Sequence, residues 1–454
     1  MNKAASARCE VSPSRLQMIA YALPTLPLAI VLFPAYAILP SFYARHTRIS
    51  LSTIGVILIA SRILDAVIDP VIGHLSDNTR SPWGSRKPWL VFGAMISMFA
   101  VYRLYVPAPT VDALYYAAWL VIFYFGFTLI EIPHKAWGTD IARNYLDRSA
   151  ISTYLGTSFA IGNLAFAAIP FLPDFAGHGY DPQTLRAVAV MVVIVLPFCV
   201  GLALWLAPQG LPVAAVRPSL PVLLRSVSIN RPFRHFLSIF VLAGFGQGIF
   251  YSLVFLLISS VERLGGRFPV FLLADAVATL IAVPLWYQMT ARIEKHRAWA
   301  VGMFISGLAV AAMAMIPPDQ RGYPALLTLV ILRAVGGAVI YVAPHALLGD
   351  VVDYDILKSH TNAAGNYNAL MALVTKANGA VGGGLGLVLI GLIGFTPKGD
   401  NTPHVVIGFK LIVLILPALL LVLSGVAAWL FPLDRRRHDI VRRRILARTE
   451  CAEP

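Results

Sequence analysis

Arg62, Asp65 and Asp69 stand three and four residues apart in Arg62-Ile63-Leu64-Asp65-Ala66-Val67-Ile68-Asp69-Pro70, with Gly73 four further on. On an α-helix that spacing puts all four on one face. Two carboxylates one turn apart raise one pKa unless a cation sits between them. The pair is therefore suited to share a hard cation such as Na⁺, or a proton. A salt bridge between Arg62 and Asp65 is the structural alternative, and it occupies only one of the two acids. Glu131 and Lys135 are also one turn apart, in Glu131-Ile132-Pro133-His134-Lys135, and can simply pair with each other. Lys376, Arg333 and Asp275 lie in long apolar stretches. The face of Lys376 carries Gly379, Gly383 and Gly386, small residues that admit a neighbouring helix. Asp65, Asp69 and Glu131 are the natural partners for its charge. Arg333 and Asp275 reach either an edge or a water-filled cavity.

Gly73, Asp77, Arg80, Gly84, Arg86 and Lys87 crowd a short segment, Gly73-His74-Leu75-Ser76-Asp77 and onward. Such a mixture of acid and cations can latch two helices in one conformation and release them in another; an ordinary basic loop is the alternative. Asp350, Asp353 and Asp355 are an acidic counterweight, with a structural role opposite basic loops at least as natural as a transport role. The Arg435–Arg437 and Arg442–Arg444 clusters read most simply as an anchor at anionic headgroups. His46, His74, His134, His345 and His404 show no metal-ligand spacing. No Gly-x-Ser-x-Gly, P-loop or dinucleotide fingerprint sits in a strand–turn–helix context, and no nucleophile–base set is visible, so an enzyme is not expected.

The elements that must position these residues follow from composition. Of 454 residues, 58% are hydrophobic and 13% charged. A soluble domain carries about 25% charged residues. The deficit excludes an ordinary cytosolic enzyme, a nucleic-acid-binding protein and a disordered chain. An ionisable residue at mid-depth in a bilayer costs about 2.5–3.5 kcal/mol on insertion scales, so each one needs a reason. Twelve apolar runs reach the roughly 20 residues needed to cross the hydrocarbon core: about 17–43, 50–75, 88–106, 112–136, 149–172, 185–207, 235–260, 268–290, 298–316, 323–348, 365–394 and 404–431. A cleaved signal peptide is the alternative for the first. Its run is too long, and Pro24, Pro27, Pro34 and Pro40 interrupt it.

The expected organisation is an N-terminal tail (1–16), a six-helix bundle (17–207), a linker (208–234), a second six-helix bundle (235–431) and a basic tail (432–454). The linker holds Pro208, Pro212, Pro218, Pro221 and Pro232 with Arg217, Arg225, Arg231 and Arg234. Placing both termini in the cytoplasm puts most of the Lys and Arg there, including Arg80, Arg86, Lys87, Arg292, Lys295, Arg297 and the arginines of the C-terminal tail; Arg45, Arg48, Arg103, Arg186, Arg263 and Arg267 are among the fewer outside. The net charge of +14 is thus a topology signal rather than a sign of a nucleic-acid partner. Cys9, Cys199 and Cys451 offer no disulfide framework.

An internal repeat supports this plan. Pro133-His134 recurs as Pro344-His345, Pro70 as Pro284 and Trp89 as Trp299, at nearly one offset. Parallel six-span repeats are the plan of major facilitator transporters. The fold class is all-α: a polytopic membrane protein of twelve transmembrane helices in two six-helix pseudo-repeats. The halves are unequal, because Asp65 and Asp69 fall opposite Thr279 and Val283.

At these residues the chain resembles the glycoside–pentoside–hexuronide:cation symporters, the melibiose permease group of the major facilitator superfamily. The likeness rests on Arg62 to Pro70, Gly73, and Ser76-Asp77-Asn78-Thr79-Arg80-Ser81-Pro82-Trp83-Gly84-Ser85-Arg86-Lys87-Pro88-Trp89. It continues in Glu131-Ile132-Pro133, Asp147-Arg148, Gly349-Asp350-Val351-Val352-Asp353-Tyr354-Asp355, Gly365 and Lys376. The resemblance implies a Na⁺ or H⁺ site on Asp65, Asp69 and Glu131, with Lys376 nearby; Arg62 joins Lys376 as a charge-compensating group. The departures concern the solute. Where the family's sugar sites have an acid in the first helix, this chain reads Tyr21-Ala22-Leu23-Pro24-Thr25, and an arginine expected in the fifth helix is absent from Thr153-Tyr154-Leu155. Lys135 stands where the melibiose permease has a stacking tryptophan. Tyr21, Thr25, Lys135 and Arg333 are the candidate solute-binding residues, and an acidic or amphipathic solute is favoured. The expectation is a monomeric secondary transporter of the plasma or bacterial inner membrane. It couples Na⁺ or H⁺ to a small organic solute by alternating access and needs no other cofactor. A carrier of a lipid-like amphiphile and an antiporting exporter are the alternatives on the same fold.

Overall fold

The computed structural model describes residues 12–108, 110–142, 144–175, 179–210, 230–317, 320–359, 364–399 and 401–450. Pro212, Pro218, Pro221, Arg217 and Arg225 of the expected linker, and Cys9 and Cys451 of the tails, lie outside the described residues. The regular structure among the described residues is helical throughout.

Among the described residues, twelve helices are long and apolar enough to cross a membrane. They are α1 Arg15–Ala37, α2 Leu51–Asn78, α3 Lys87–Tyr105, α4 Ala113–Ile141, α5 Leu146–Phe171, α6 Pro182–Leu206, α7 Arg231–Val261, α8 Gly265–Arg292, α9 Lys295–Met313, α10 Gln320–Lys358, α11 Gly365–Leu392 and α12 Pro403–Trp429. Polar residues between the apolar runs start many of them. The side chains of Ser50, Asp112, Asn144, Asp181 and Asn230 each accept a hydrogen bond from the backbone N–H three residues on, at 2.8–3.1 Å. Proline breaks α1, which runs as Arg15–Ala22 and then Thr25–Ala37 around Pro24, before a short helix Leu39–His46.

The chain divides into two compact units, residues 1–215 and 216–454. In the first, α3 lies against α4 where Gly93 meets Gly126. A Cβ on Gly93 would stand 3.0 Å from the Gly126 carbonyl, and one on Gly126 would stand 2.7 Å from Ser97 Oγ. The second unit repeats the device between α9 and α10. There a Cβ on Gly302 would meet the Gly336 carbonyl at 2.7 Å, and one on Gly336 the Ser306 nitrogen at 2.7 Å. Small residues let two helix backbones close on each other without a hydrophobic drive between them. Gly93, Ser97 and Gly126 thus have counterparts in Gly302, Ser306 and Gly336, so the repeat extends from the sequence to the packing.

The basic tail is more ordered than a plain headgroup anchor. Residues Arg435–Glu450 form a helix, α13. His438 Nε2 holds it 2.9 Å from Asp353 and 3.5 Å from Asp350, and Lys295 takes Asp350 at 2.7 Å. Asp350 and Asp353 therefore serve as the structural acids that fasten this helix to α10 and α9.

Candidate functional site

The first unit brings Asp65 and Asp69 of α2 against α4. The meeting point is Thr128, which sequence reasoning missed. Its Oγ1 lies 2.6 Å from Asp65 Oδ1 and 3.1 Å from Asp69 Oδ1. A hydroxyl has one proton to donate, so it cannot satisfy two ionised carboxylates together. Two carboxylate oxygens thus lie within hydrogen-bond reach of one hydroxyl oxygen, with Asp65 buried. Such an arrangement can accept a hard cation, or a proton on one carboxyl. The helices also prepare the place. Pro70 and Pro133 lie inside α2 and α4. Having no N–H, they leave the carbonyls of Ala66 and Leu129 without their usual helical donor, beside Asp65 and Thr128 in sequence.

Arg62 completes the group. Its Nη1 is 3.3 Å from Asp65 Oδ2, and its guanidinium lies 3.6 Å from the centre of the Tyr124 ring. The salt bridge considered from sequence is thus formed, while Asp69 faces Thr128. Tyr124 is the second residue the sequence did not single out. A faint signal existed, since Tyr124, Thr128, Glu131 and Lys135 recur at helical spacing along one face of α4.

Glu131 does not complete the expected triad of acids. Among the described residues no three His, Cys, Asp or Glu side chains gather so as to hold a metal ion. Lys135 Nζ instead lies 2.6 Å from Glu131 Oε1. The pair is a local one, between side chains one helical turn apart. The Lys135 side chain is 65% exposed. Lys376 is half-buried on α11 and belongs to the second unit.

Tyr21 is a correction. It is fully buried, donates its hydroxyl to the His134 carbonyl at 2.7 Å and stacks on the His134 ring at 4.3 Å. His134 returns a ring-nitrogen contact to the Tyr21 carbonyl at 2.7 Å. A side chain so committed fastens α1 to α4 and has no face left for a solute. Thr25 is half-buried where α1 resumes after Pro24. Arg333 is buried in the second unit and ion-paired with Asp275.

The segment expected to act as a latch is a clamp within the first unit. Arg86 is buried and binds three groups: Asp77 in an ion pair, Ser76 Oγ at 3.2 Å, and Asp140 Oδ2 at 3.3 Å through Nε. It therefore joins the ends of α2, α3 and α4. Asp140, another residue missed from sequence, is itself buried. Lys87 caps the end of α6 through the carbonyls of Leu204 at 2.8 Å and Ala207 at 3.2 Å. Gly73 is packed inside, and Arg80 is exposed.

Known proteins share both the sequence pattern and the helical plan. The chain matches the MFS/sugar transport protein family over residues 18–435. It is 23% identical over 418 residues to the glucuronide carrier protein homolog of Escherichia coli, covering 88% of this chain and 89% of that one. It is also 23% identical over 431 residues to the human sodium-dependent lysophosphatidylcholine symporter 1, covering 85% and 77%. A solved structure of the nucleoside transporter NupG superposes with a TM-score of 0.62 at 14% identity, over 92% of this chain and 98% of that one, which is a likeness of fold. The match across nearly the whole chain, together with twelve spans and a charged centre inside them, makes this protein a secondary transporter and a member of the MFS/sugar transport protein family.

Proposed function

We propose that the protein couples Na⁺ or H⁺ to the movement of a small sugar-like or uronide-like solute, with the ion held by Asp65, Asp69 and Thr128. The observation that carries this reading is the Thr128 hydroxyl within 3.1 Å of both carboxylates. The glucuronide carrier homolog among its relatives supports a sugar-type solute, and the sodium-dependent relative supports Na⁺. A cation at this point removes the repulsion between Asp65 and Asp69. It thereby stabilises the conformation in which both face Thr128, and alternating access follows from that bias. Glu131 and Lys135 stand along the same face of α4, so exchange between their pair and an incoming charge can link ion and solute. Lys376 balances the acids when the ion leaves. The chain works as a monomer in a plasma or inner membrane with both termini in the cytoplasm.

The lipid-like solute is the second reading, favoured by the lysophosphatidylcholine symporter among the relatives. One experiment addresses both. Purified protein in proteoliposomes is assayed for uptake of D-glucuronate, D-glucose and a lysophospholipid, with and without a Na⁺ or pH gradient. Asp65→Asn and Asp69→Asn should each abolish gradient-driven accumulation while the protein still inserts and folds. Gradient-driven uptake as in wild type in both variants would refute the ion assignment.

A further inference from the structure

The second unit has a charged centre of its own. Arg333 of α10 is 2% exposed and ion-paired with Asp275 of α8. Tyr251 of α7 donates its hydroxyl to Asp275 Oδ2 at 3.4 Å. The guanidinium lies 5.1 Å from the Phe250 ring centre and 4.8 Å from that of Tyr251. These contacts do not use up the donors gathered here. Arg333 Nε, Gln247 Nε2 and Ser306 Oγ are all buried with no hydrogen-bond partner. Native proteins rarely leave one such group orphaned.

Gly337 shows that the donors surround one point. A Cβ built on it would meet nothing nearer than 3.7 Å. Its three nearest neighbours would be Gln247 Nε2 at 3.7 Å, Ser306 Oγ at 3.7 Å and Arg333 Nη1 at 3.8 Å. The missing side chain leaves an atom-sized gap rimmed by polar groups of α7, α9 and α10. The helix also changes here, since Tyr323–Gly337 gives way to a 3-10 turn, Ala338–Tyr341. Interrupted helices line binding sites in transporters.

The rim is rich in donors and poor in acceptors. A guanidinium and an amide nitrogen only donate, and a hydroxyl does both. The fitting guest is an acceptor, and a charged one gains most beside a desolvated guanidinium. The halves differ in sign as well as in residues. Aligning Gly126 with Gly336 sets Phe123 and Phe127 where the second half has Arg333 and Gly337. The first unit keeps the paired acids and the second keeps the arginine.

We propose that Gln247, Ser306 and Arg333 form a site for a monovalent anion, either a carboxylate of the solute or chloride, with Asp275 as the internal counter-ion that competes for Arg333. The carboxylate source rests on the transport reading above; chloride does not. The test is equilibrium binding of D-glucuronate and, separately, of chloride to the purified full chain in chloride-free buffer, with D-glucose as the neutral control. Asp275→Asn removes the competitor and should tighten anion binding ten-fold or more. Gly337→Ala fits without a clash, so the chain should fold as wild type, yet its methyl takes the guest's place and should weaken binding ten-fold or more. Ser306→Ala should weaken it several-fold. Changes for glucuronate alone assign the site to the solute, and changes for chloride alone assign it to the inorganic ion. Absence of anion binding, or binding unaltered in Asp275→Asn and Gly337→Ala, overturns the proposal and leaves a buried water as the occupant. Because binding is read without transport, a failure of the Asp65 reading leaves this result standing, and the reverse.

Discussion

Thr128 carries the most information for its size. A threonine in an apolar helix draws no notice in a sequence, yet its hydroxyl is the atom that joins Asp65 to Asp69. If it is an ion ligand, Thr128→Ala should weaken Na⁺ affinity about ten-fold, or roughly 1.4 kcal/mol, and Thr128→Ser should restore it. Na⁺-dependence of solute binding measures this; an unchanged affinity in the alanine variant removes the hydroxyl from the ion site. Lys135 poses a different question at the same scale. Its amine is exposed, while the Glu131 side chain is only 19% exposed. Lys135→Gln should therefore lower thermal stability by more than about 0.3–0.5 kcal/mol, the contribution of a fully exposed helix pair. A loss of about 1.5–3 kcal/mol in solute affinity at constant Na⁺ affinity assigns the lysine to an anionic group of the solute. A shift in Na⁺ affinity with solute affinity held assigns it to Glu131.

Between helices, packing and charge clamps fix the frame. The α3–α4 seam depends on Gly126, where any Cβ collides with Ser97. Gly126→Val should destabilise the protein by about 1–3 kcal/mol or more through overpacking. Gly156→Ala meets nothing within 4 Å and serves as the control. Thermal unfolding of the two purified variants compares them. Arg86 is the corresponding electrostatic element. Arg86→Ala withdraws the cation from Asp77 and from the buried Asp140, and breaking a buried pair in this way costs about 3–5 kcal/mol. Arg80→Ala should be nearly silent. Equal stability in both arginine variants would show that the clamp does not hold the helix ends.

For the whole molecule, the proposed orientation rests on the distribution of Lys and Arg and is open to a direct test. Arg48 and Arg80 are both exposed, in the segments before and after α2. In a background without the native cysteines, a membrane-impermeant maleimide should label Arg48→Cys in intact cells and Arg80→Cys only after lysis. The reverse pattern would invert the topology. The two units have diverged on a shared plan. Both use a Gly–Gly contact with a serine beside it, yet one places paired acids between its helices and the other an arginine.

The sequence by itself determined the twelve spans, the internal repeat and the identity of Asp65 and Asp69 as a pair. Those are matters of composition along the chain and of spacing on a single helix, and neither depends on what a helix packs against. Arg62–Asp65 and Glu131–Lys135 were legible for the same reason, since each pair lies within one turn. Everything that needed two helices was decided by the tertiary structure. Thr128 joined the acids because α4 lies against α2. Tyr21 became a packing residue because its hydroxyl found the His134 carbonyl 2.7 Å away, and Asp140 acquired a role only when Arg86 reached it. A one-dimensional pattern records which face a residue occupies; the partner on that face is set by helix packing, through contacts between residues far apart in the chain.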